Sequence, residues 1–244
     1  MVLTNATAIA VQPGDSYPLG AMVRDGGVNF CLYTQGARKV ELLLFETPES
    51  PQPHLVVQLD PEIHQTFHYW HVFVMGLGAG QVYGYRVDGP YNPGNGQWFN
   101  PNKVLLDPYA RAVVGWQTYA RQAAIDSSDN CAQALRGVVV DPLQYDWEGD
   151  SHPKTPYAAT VIYELHVGGF TQHPNSGVAD KKRGTYAGLI EKIPYLKSLG
   201  ITAVELMPVQ QFDPNDAPSG KTNYWGYSPV AFFAPHRQYS SRQD

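Results

Sequence analysis

Cysteine is scarce. Cys31 and Cys131 are the only two in 244 residues and stand far apart. No His/Cys pair at metal-ligand spacing surrounds them, so they read as reduced, structural thiols, and neither a metal nor a cofactor site is expected. Positive charge is scarce too. The chain has 17 Lys and Arg against 22 Asp and Glu, a net charge of −5 and a pI near 5.9. That balance argues against nucleic acid or an anionic membrane as partner and suits a neutral ligand. Long apolar runs are missing: none approaches the ~20 residues that cross a bilayer. Residues 1–11 lack a basic start and an apolar core, so no signal peptide is expected and the cytoplasm is the default compartment. Aromatics, by contrast, are plentiful, with 16 Tyr and 5 Trp, and Gly and Pro number 23 and 20. Such a mix favours loop-rich β structure and stacking surfaces over helical bundles. The length suits one or two domains.

One stretch organises the rest. Leu199-Gly200 closes a helical pattern, and an apolar run from Ile201 to Met207 stops at Pro208. Gly past a helix and Pro past a strand are steric stops. Ile201, Val204, Leu206 and Met207 leave no polar face, which is the pattern of a parallel strand buried on both sides. A helix at 185–199 and a similar strand at 161–167 precede it, so 161–209 reads as one β-α-β unit. In parallel α/β folds ligands meet the carboxyl ends of the strands. Asn223-Tyr224-Trp225-Gly226-Tyr227 sits a loop's length past such an end.

Residues 17–90 read as short strands of an antiparallel sandwich of immunoglobulin type. Asp25-Gly26-Gly27 is a hairpin signal. Val28, Phe30 and Leu32 alternate with Asn29, Cys31 and Tyr33, and 40–45, 55–59, 67–74 and 81–87 are further runs. Trp70 is either a core residue between sheets or a sugar platform. Residues 88–158 show little periodicity, with apolar anchors at Val104-Leu105-Leu106 and Val138-Val139-Val140. A loop that long is unusual unless it packs between domains.

In the strand at 161–167, Glu164 and His166 share a face, and a buried carboxylate and imidazole there must be paired. Lys181-Lys182-Arg183 is a solvated turn. Thr185 is a fair N-cap, Ala187, Ile190, Ile193 and Leu196 form an apolar stripe, and Pro194 predicts a break in the helix.

The motifs Tyr163-Glu164-Leu165-His166-Val167-Gly168-Gly169-Phe170-Thr171, Gly184-Thr185-Tyr186-Ala187-Gly188-Leu189, the 199–209 run and Tyr224-Trp225-Gly226-Tyr227-Ser228-Pro229 resemble the start of the catalytic domain of the α-amylase superfamily. The isoamylase-type glycogen debranching branch fits best. Tyr83-Gly84-Tyr85-Arg86-Val87-Asp88-Gly89-Pro90 and Phe99-Asn100-Pro101-Asn102-Lys103 are similar to that branch's N-terminal sandwich and its link to the barrel. The resemblance implies a multidomain chain. An immunoglobulin-like, carbohydrate-binding-like β-sandwich would cover 1–110, with a linker packed between domains at 111–158. The first β-α-β unit of an incomplete (β/α)8 TIM barrel would cover 159–244.

It also implies hydrolysis of α-1,6-glucosidic branch points with retention, which needs two carboxyl groups about 5–5.5 Å apart. In the family these come from later strands, so no catalytic residue is expected here. Glu164, Glu205, Asp213 and Asp216 match none of them. What carries over is substrate binding to an α-glucan. Tyr227 matches the aromatic residue that stacks on the sugar next to the scissile bond, with Asn223, Tyr224 and Trp225 beside it. Packing of the same cluster under its own loop is the plainer alternative. Many relatives carry a His soon after the position of Pro208, where this chain has Gln210 and Gln211. Two other functions remain open: a non-catalytic α-glucan-binding protein and part of an α-1,4-glucan branching transferase. With six barrel strands missing, 161–244 is expected to be poorly ordered or prone to associate when isolated.

Overall fold

The computed structural model describes residues 9–242. It divides into two compact units, Met1–Gln144 and Tyr145–Asp244.

The first unit contains strands β1 (Val11–Gln12), β2 (Gly20–Arg24), β3 (Gly27–Tyr33), β4 (Lys39–Phe45), β5 (Leu55–Gln58), β6 (Gln65–Thr66), β7 (Tyr69–Met75), β8 (Val82–Asp88), β9 (Tyr91–Asn92), β10 (Gln97–Trp98), β11 (Val113–Val114) and β12 (Arg136–Val138). Two short helices, α1 (Pro61–His64) and α2 (Arg121–Ile125), interrupt them. One antiparallel sheet runs β1-β7-β3-β2, with β6 also on β7; the other runs β11-β12-β8-β4-β5. Register explains the core. Val28, Phe30 and Leu32 face Val74, Val72 and Trp70 across β3 and β7, so alternate residues share one face. That face meets Leu42, Leu44, Tyr83 and Tyr85 of the second sheet in one buried cluster. The rings of Phe30 and Tyr83 stand edge-to-face at 5.1 Å. Each large side chain buried there contributes about 1.5–3 kcal/mol. Trp70 is 1% exposed, so it is a core residue and its ring is closed to a sugar.

The unit extends past the boundary expected at residue 110. The run Leu42-Leu43-Leu44-Phe45 has no polar side, so both faces of β4 need cover. Leu43 and Phe45 find it in Val104, Cys131 and Ala134. β12 continues the sheet by pairing Gly137 with Tyr83 on β8. Arg136, buried, locks the segment down: its guanidinium donates to the carbonyls of Pro48, Ser50 and Cys131 at 2.9, 2.6 and 2.7 Å and lies over the Phe45 ring. Residues 111–144 of the expected linker therefore belong to the first unit. Both cysteines are free and buried.

The second unit starts with β13 (Ile162–Leu165) and α3 (Val167–Gln172). It continues through α4 (Tyr186–Glu191), α5 (Ile193–Ser198) and β14 (Ala203–Leu206), and ends in β15 (Gln210–Phe212) and β16 (Pro229–Pro235). β13 and β14 pair in parallel, Ile162 with Ala203 through Leu165 with Leu206, across the intervening helices. Thr185 caps α4, its hydroxyl accepting the Gly188 N–H at 3.3 Å. The helix breaks at Lys192, and Pro194 sits in the first turn of α5, where its missing N–H costs nothing. β15 and β16 form an antiparallel pair with irregular register.

Burial departs from expectation. Only Leu165 of β13 is buried, and Ile162, Tyr163, Val204 and Leu206 are exposed. A two-stranded sheet has too few neighbours to cover its faces. On the helices Leu196 is buried, but Ile190 and Ile193 of the expected stripe are exposed.

Candidate functional site

The site grows from the carboxyl end of β13. His166 follows Leu165 and caps α3, its Nδ1 accepting the Gly169 N–H at 3.0 Å. Nδ1 is therefore the acceptor nitrogen, and Nε2–H points at the Tyr224 carbonyl, 2.9 Å away. The Tyr239 hydroxyl lies 3.1 Å from the same nitrogen. The imidazole also stacks on the Tyr224 ring, with centroids 4.2 Å apart and planes 6° from parallel. The expected pairing of His166 with Glu164 is replaced by these contacts, and Glu164 is exposed. One histidine thus hangs the aromatic loop on the end of a parallel strand.

Within the loop Asn223 is the organiser. Its Oδ1 accepts the Gly226 N–H at 3.0 Å, and its Nδ2 donates to Ser228 Oγ at 3.1 Å. Ser228 in turn donates to Asp216 Oδ2 at 2.9 Å. Gly226 has φ +76, and a Cβ there would lie 2.6 Å from the Phe212 ring. Only glycine fits, and the chain turns so that Tyr227 stands 70% exposed. Trp225 and Tyr224 are about half exposed, and Tyr224 has one face on His166.

Beneath the loop lies a buried aromatic floor. Phe212 stacks on His236 at 3.7 Å, and Tyr239 packs edge-on to both His236 and Tyr186. Gln211, buried, donates to Phe212 O at 2.7 Å and to His236 Nδ1 at 3.0 Å, while its Oε1 accepts the Arg237 N–H. Gln211 thereby joins β15 to the end of β16. Burial pushes the His236 imidazole down to about 4, so it is neutral at pH 7. Burial likewise lifts the Tyr186 and Tyr239 phenols to about 12.

All four residues singled out in the sequence, Asn223, Tyr224, Trp225 and Tyr227, come together in this loop. The roles of Gln211, His236 and Tyr239 were not foreseen. Their contacts join residues up to 73 positions apart, so no local pattern announces them. Chemically the rim offers apolar planes and neutral hydrogen-bonding groups, which suits a neutral ligand with apolar C–H faces. Among the described residues no group of three or more His, Cys, Asp or Glu is arranged to hold a metal ion.

Residues 18–110 match the family model of carbohydrate-binding module 48, the isoamylase N-terminal domain. The matched residues fall within the β-rich first unit, and the parallel unit with its aromatic rim follows them in the chain. The particular relatives are narrower. The chain is 41% identical over 240 residues to isoamylase 1, chloroplastic, of Oryza sativa subsp. japonica, covering 96% of this chain and 29% of that protein. It is 41% identical over 243 residues to a glycogen debranching enzyme of Pectobacterium atrosepticum, covering 96% and 36%. A GlgX homologue, named as a glycogen operon protein, of Mycobacterium tuberculosis is 40% identical over 248 residues, covering 95% and 33%. The chain is thus homologous to isoamylase-type glycogen debranching enzymes and spans about a third of the length of these curated relatives. Among solved structures, the catalytic module of the glycogen-degrading pneumococcal virulence factor SpuA aligns with a TM-score of 0.71 at 24% identity, over 95% of this chain and 34% of that one. A pullulanase from Bacillus acidopullulyticus aligns at 0.68 and 27% identity, over 93% and 26%.

Proposed function

We propose that this chain corresponds to the N-terminal third of a glycoside hydrolase that cleaves α-1,6 branch linkages of a glycogen-like α-glucan with retention. In this reading β13, the helices and β14 are the first β-α-β unit of a (β/α)8 barrel. Tyr227, flanked by Trp225, Tyr224 and Asn223, is the sugar-stacking rim at its mouth. The observation that carries the reading is the exposed Tyr227 ring, held beside the carboxyl end of a parallel strand by His166 and the Gly226 turn. Retention requires two carboxyl groups about 5–5.5 Å apart. Glu164, Glu205, Asp213 and Asp216 are assigned no such role, and the 244-residue chain alone is expected to hydrolyse neither pullulan nor amylopectin. A net charge of −5 favours a neutral polysaccharide over nucleic acid or anionic lipid. The free, buried thiols suit a reducing compartment, the cytoplasm.

The test follows the indole N–H signal of Trp225 during titration with maltoheptaose. Tyr227→Ala is expected to weaken binding about tenfold, the loss of one stacked ring, and Tyr227→Phe to preserve it. Equal affinity for Tyr227→Ala and the unmodified chain would remove the rim assignment.

A further inference from the structure

Phe67 stands where neither propensity nor burial explains it. Thr66 of β6 pairs with Tyr69 of β7, so Phe67 and His68 form a two-residue hairpin loop. Phe67 has φ +57. A left-handed first loop residue is a setting for glycine, because a Cβ there crowds the following carbonyl oxygen. The benzyl side chain gains little in return within its own chain, since Phe67 is 75% exposed. Its ring lies on the His68 imidazole, with centroids 3.8 Å apart. Gln65 holds the tip in shape, its Nε2 donating to Phe67 O at 2.8 Å. Backbone strain kept beneath an exposed aromatic ring points to contact with another molecule.

A socket lies beside this knob. His68 meets Tyr33 edge-on at 5.9 Å, and Tyr33, 45% exposed, forms one wall of a cleft of about 1300 Å³. Leu32, Trp98, Phe99 and Ile125 also line the cleft. Two ring contacts therefore connect Phe67 to the cleft wall, while Phe67 itself stands outside the lining. Knob and socket on one face are what a two-fold contact requires. Each copy's Phe67 can enter the other copy's cleft, and the contact closes at two copies. Charge agrees with this. Residues 65–69 carry no carboxylate, ammonium or guanidinium. The charged residues lining the cleft, Lys103 and Asp126, pair with each other at 3.0 Å. In a chain of net charge −5, two copies can meet on this face without opposing like charges.

We infer that this face is a self-association surface, with Phe67 of each copy seated in the cleft of a second copy of this chain. The occupant is apolar and aromatic, and a contact built on one anchor per copy makes a transient dimer rather than an obligate one. The inference is independent of the α-glucan reading.

The experiment uses the 244-residue chain labelled at indole nitrogen, with the Trp98 signal identified by its disappearance in Trp98→Phe. That signal is expected to move as concentration rises from about 10 to about 1,000 μM, with sedimentation velocity showing dimer over the same range. Phe67→Gly removes both anchors of the pair and is expected to raise the dimer Kd about thirtyfold or more. The same variant is expected to melt no lower than the unmodified chain, because glycine relieves the left-handed backbone. A Trp98 signal that ignores concentration overturns the inference, even where sedimentation reports association, since the exposed strands of the second unit are then its source. An unaltered Kd in Phe67→Gly overturns it too. A large fall in melting temperature shows that the ring serves the fold of its own chain, and also overturns it. Growth past dimer that Phe67→Gly abolishes contradicts the two-fold arrangement.

Discussion

Gly226 offers a controlled test of how the aromatic rim is held. Gly226 and Gly220 have almost the same backbone angle, φ +76 and +77, but different surroundings. A Cβ on Gly220 meets nothing within 4 Å. A Cβ on Gly226 would lie 2.6 and 2.7 Å from two Phe212 ring carbons and 3.3 Å from the Pro208 Cβ. Phe212 cannot swing aside, because it is 2% exposed and stacked on His236. Gly220→Ala therefore measures the left-handed backbone penalty alone, about 1–2 kcal/mol. Gly226→Ala adds overpacking of about 1–3 kcal/mol. The assay is hydrogen exchange at the His236 amide, which donates to Val209 O at 2.7 Å and ties β16 to the floor of the loop. The extra term predicts exchange about 5- to 150-fold faster in Gly226→Ala than in Gly220→Ala. Equal acceleration in the two variants would refute the packing argument and leave Gly226 as an ordinary turn glycine.

Two further predictions concern pH. Burial raises the Asp107 carboxyl from 3.8 to about 6, although it accepts hydrogen bonds from the Tyr83 hydroxyl at 2.7 Å and the Tyr109 N–H at 2.8 Å. Because the folded state holds this proton more tightly, stability falls as pH rises from about 4 through 6, by up to about 3 kcal/mol. Asp107→Asn does not titrate; its one oxygen still accepts the Tyr109 N–H, while its amide NH2 takes the place of the oxygen that accepts from the Tyr83 hydroxyl and costs a contact that does not depend on pH. The gap in urea-unfolding free energy between it and the unmodified chain should therefore shift in its favour by that amount between pH 4 and 7; a flat gap contradicts this. His236 has the opposite slope. Its imidazole is pushed from 6.5 down to about 4, so its stabilisation is complete above 6.5 and is lost as pH falls from there through 4, again by up to about 3 kcal/mol. The His236 ring signals should titrate near 4 by NMR, and a midpoint near 6.5 would disprove its burial.

How far the chain could be read follows from the range of each interaction. The β2–β3 hairpin around Asp25-Gly26, the Thr185 cap and the helix break before Pro194 were all legible, and all appear. Each depends on sterics and hydrogen bonds within a few residues. β11 and β12, of two and three residues, were not legible, because strands so short show no period. The edge of β8 and the uncovered face of β4 recruit them. The departure at Gln211 was visible as a residue out of pattern, but its work in joining β15 to His236 was not.

The sequence by itself determined the main sandwich strands, the helix between two parallel strands, and the aromatic loop after the second of them. These follow from local backbone limits and composition. Only the tertiary structure decided that His166 holds Tyr224 rather than Glu164, that Trp70 is sealed in a core, and that Tyr33 meets a hairpin carrying Tyr91 and Trp98 at one cleft. It also decided that β13 and β14 leave their apolar residues exposed. Burial and partner choice depend on which surfaces meet, and residues distant in sequence meet only once the whole chain has folded.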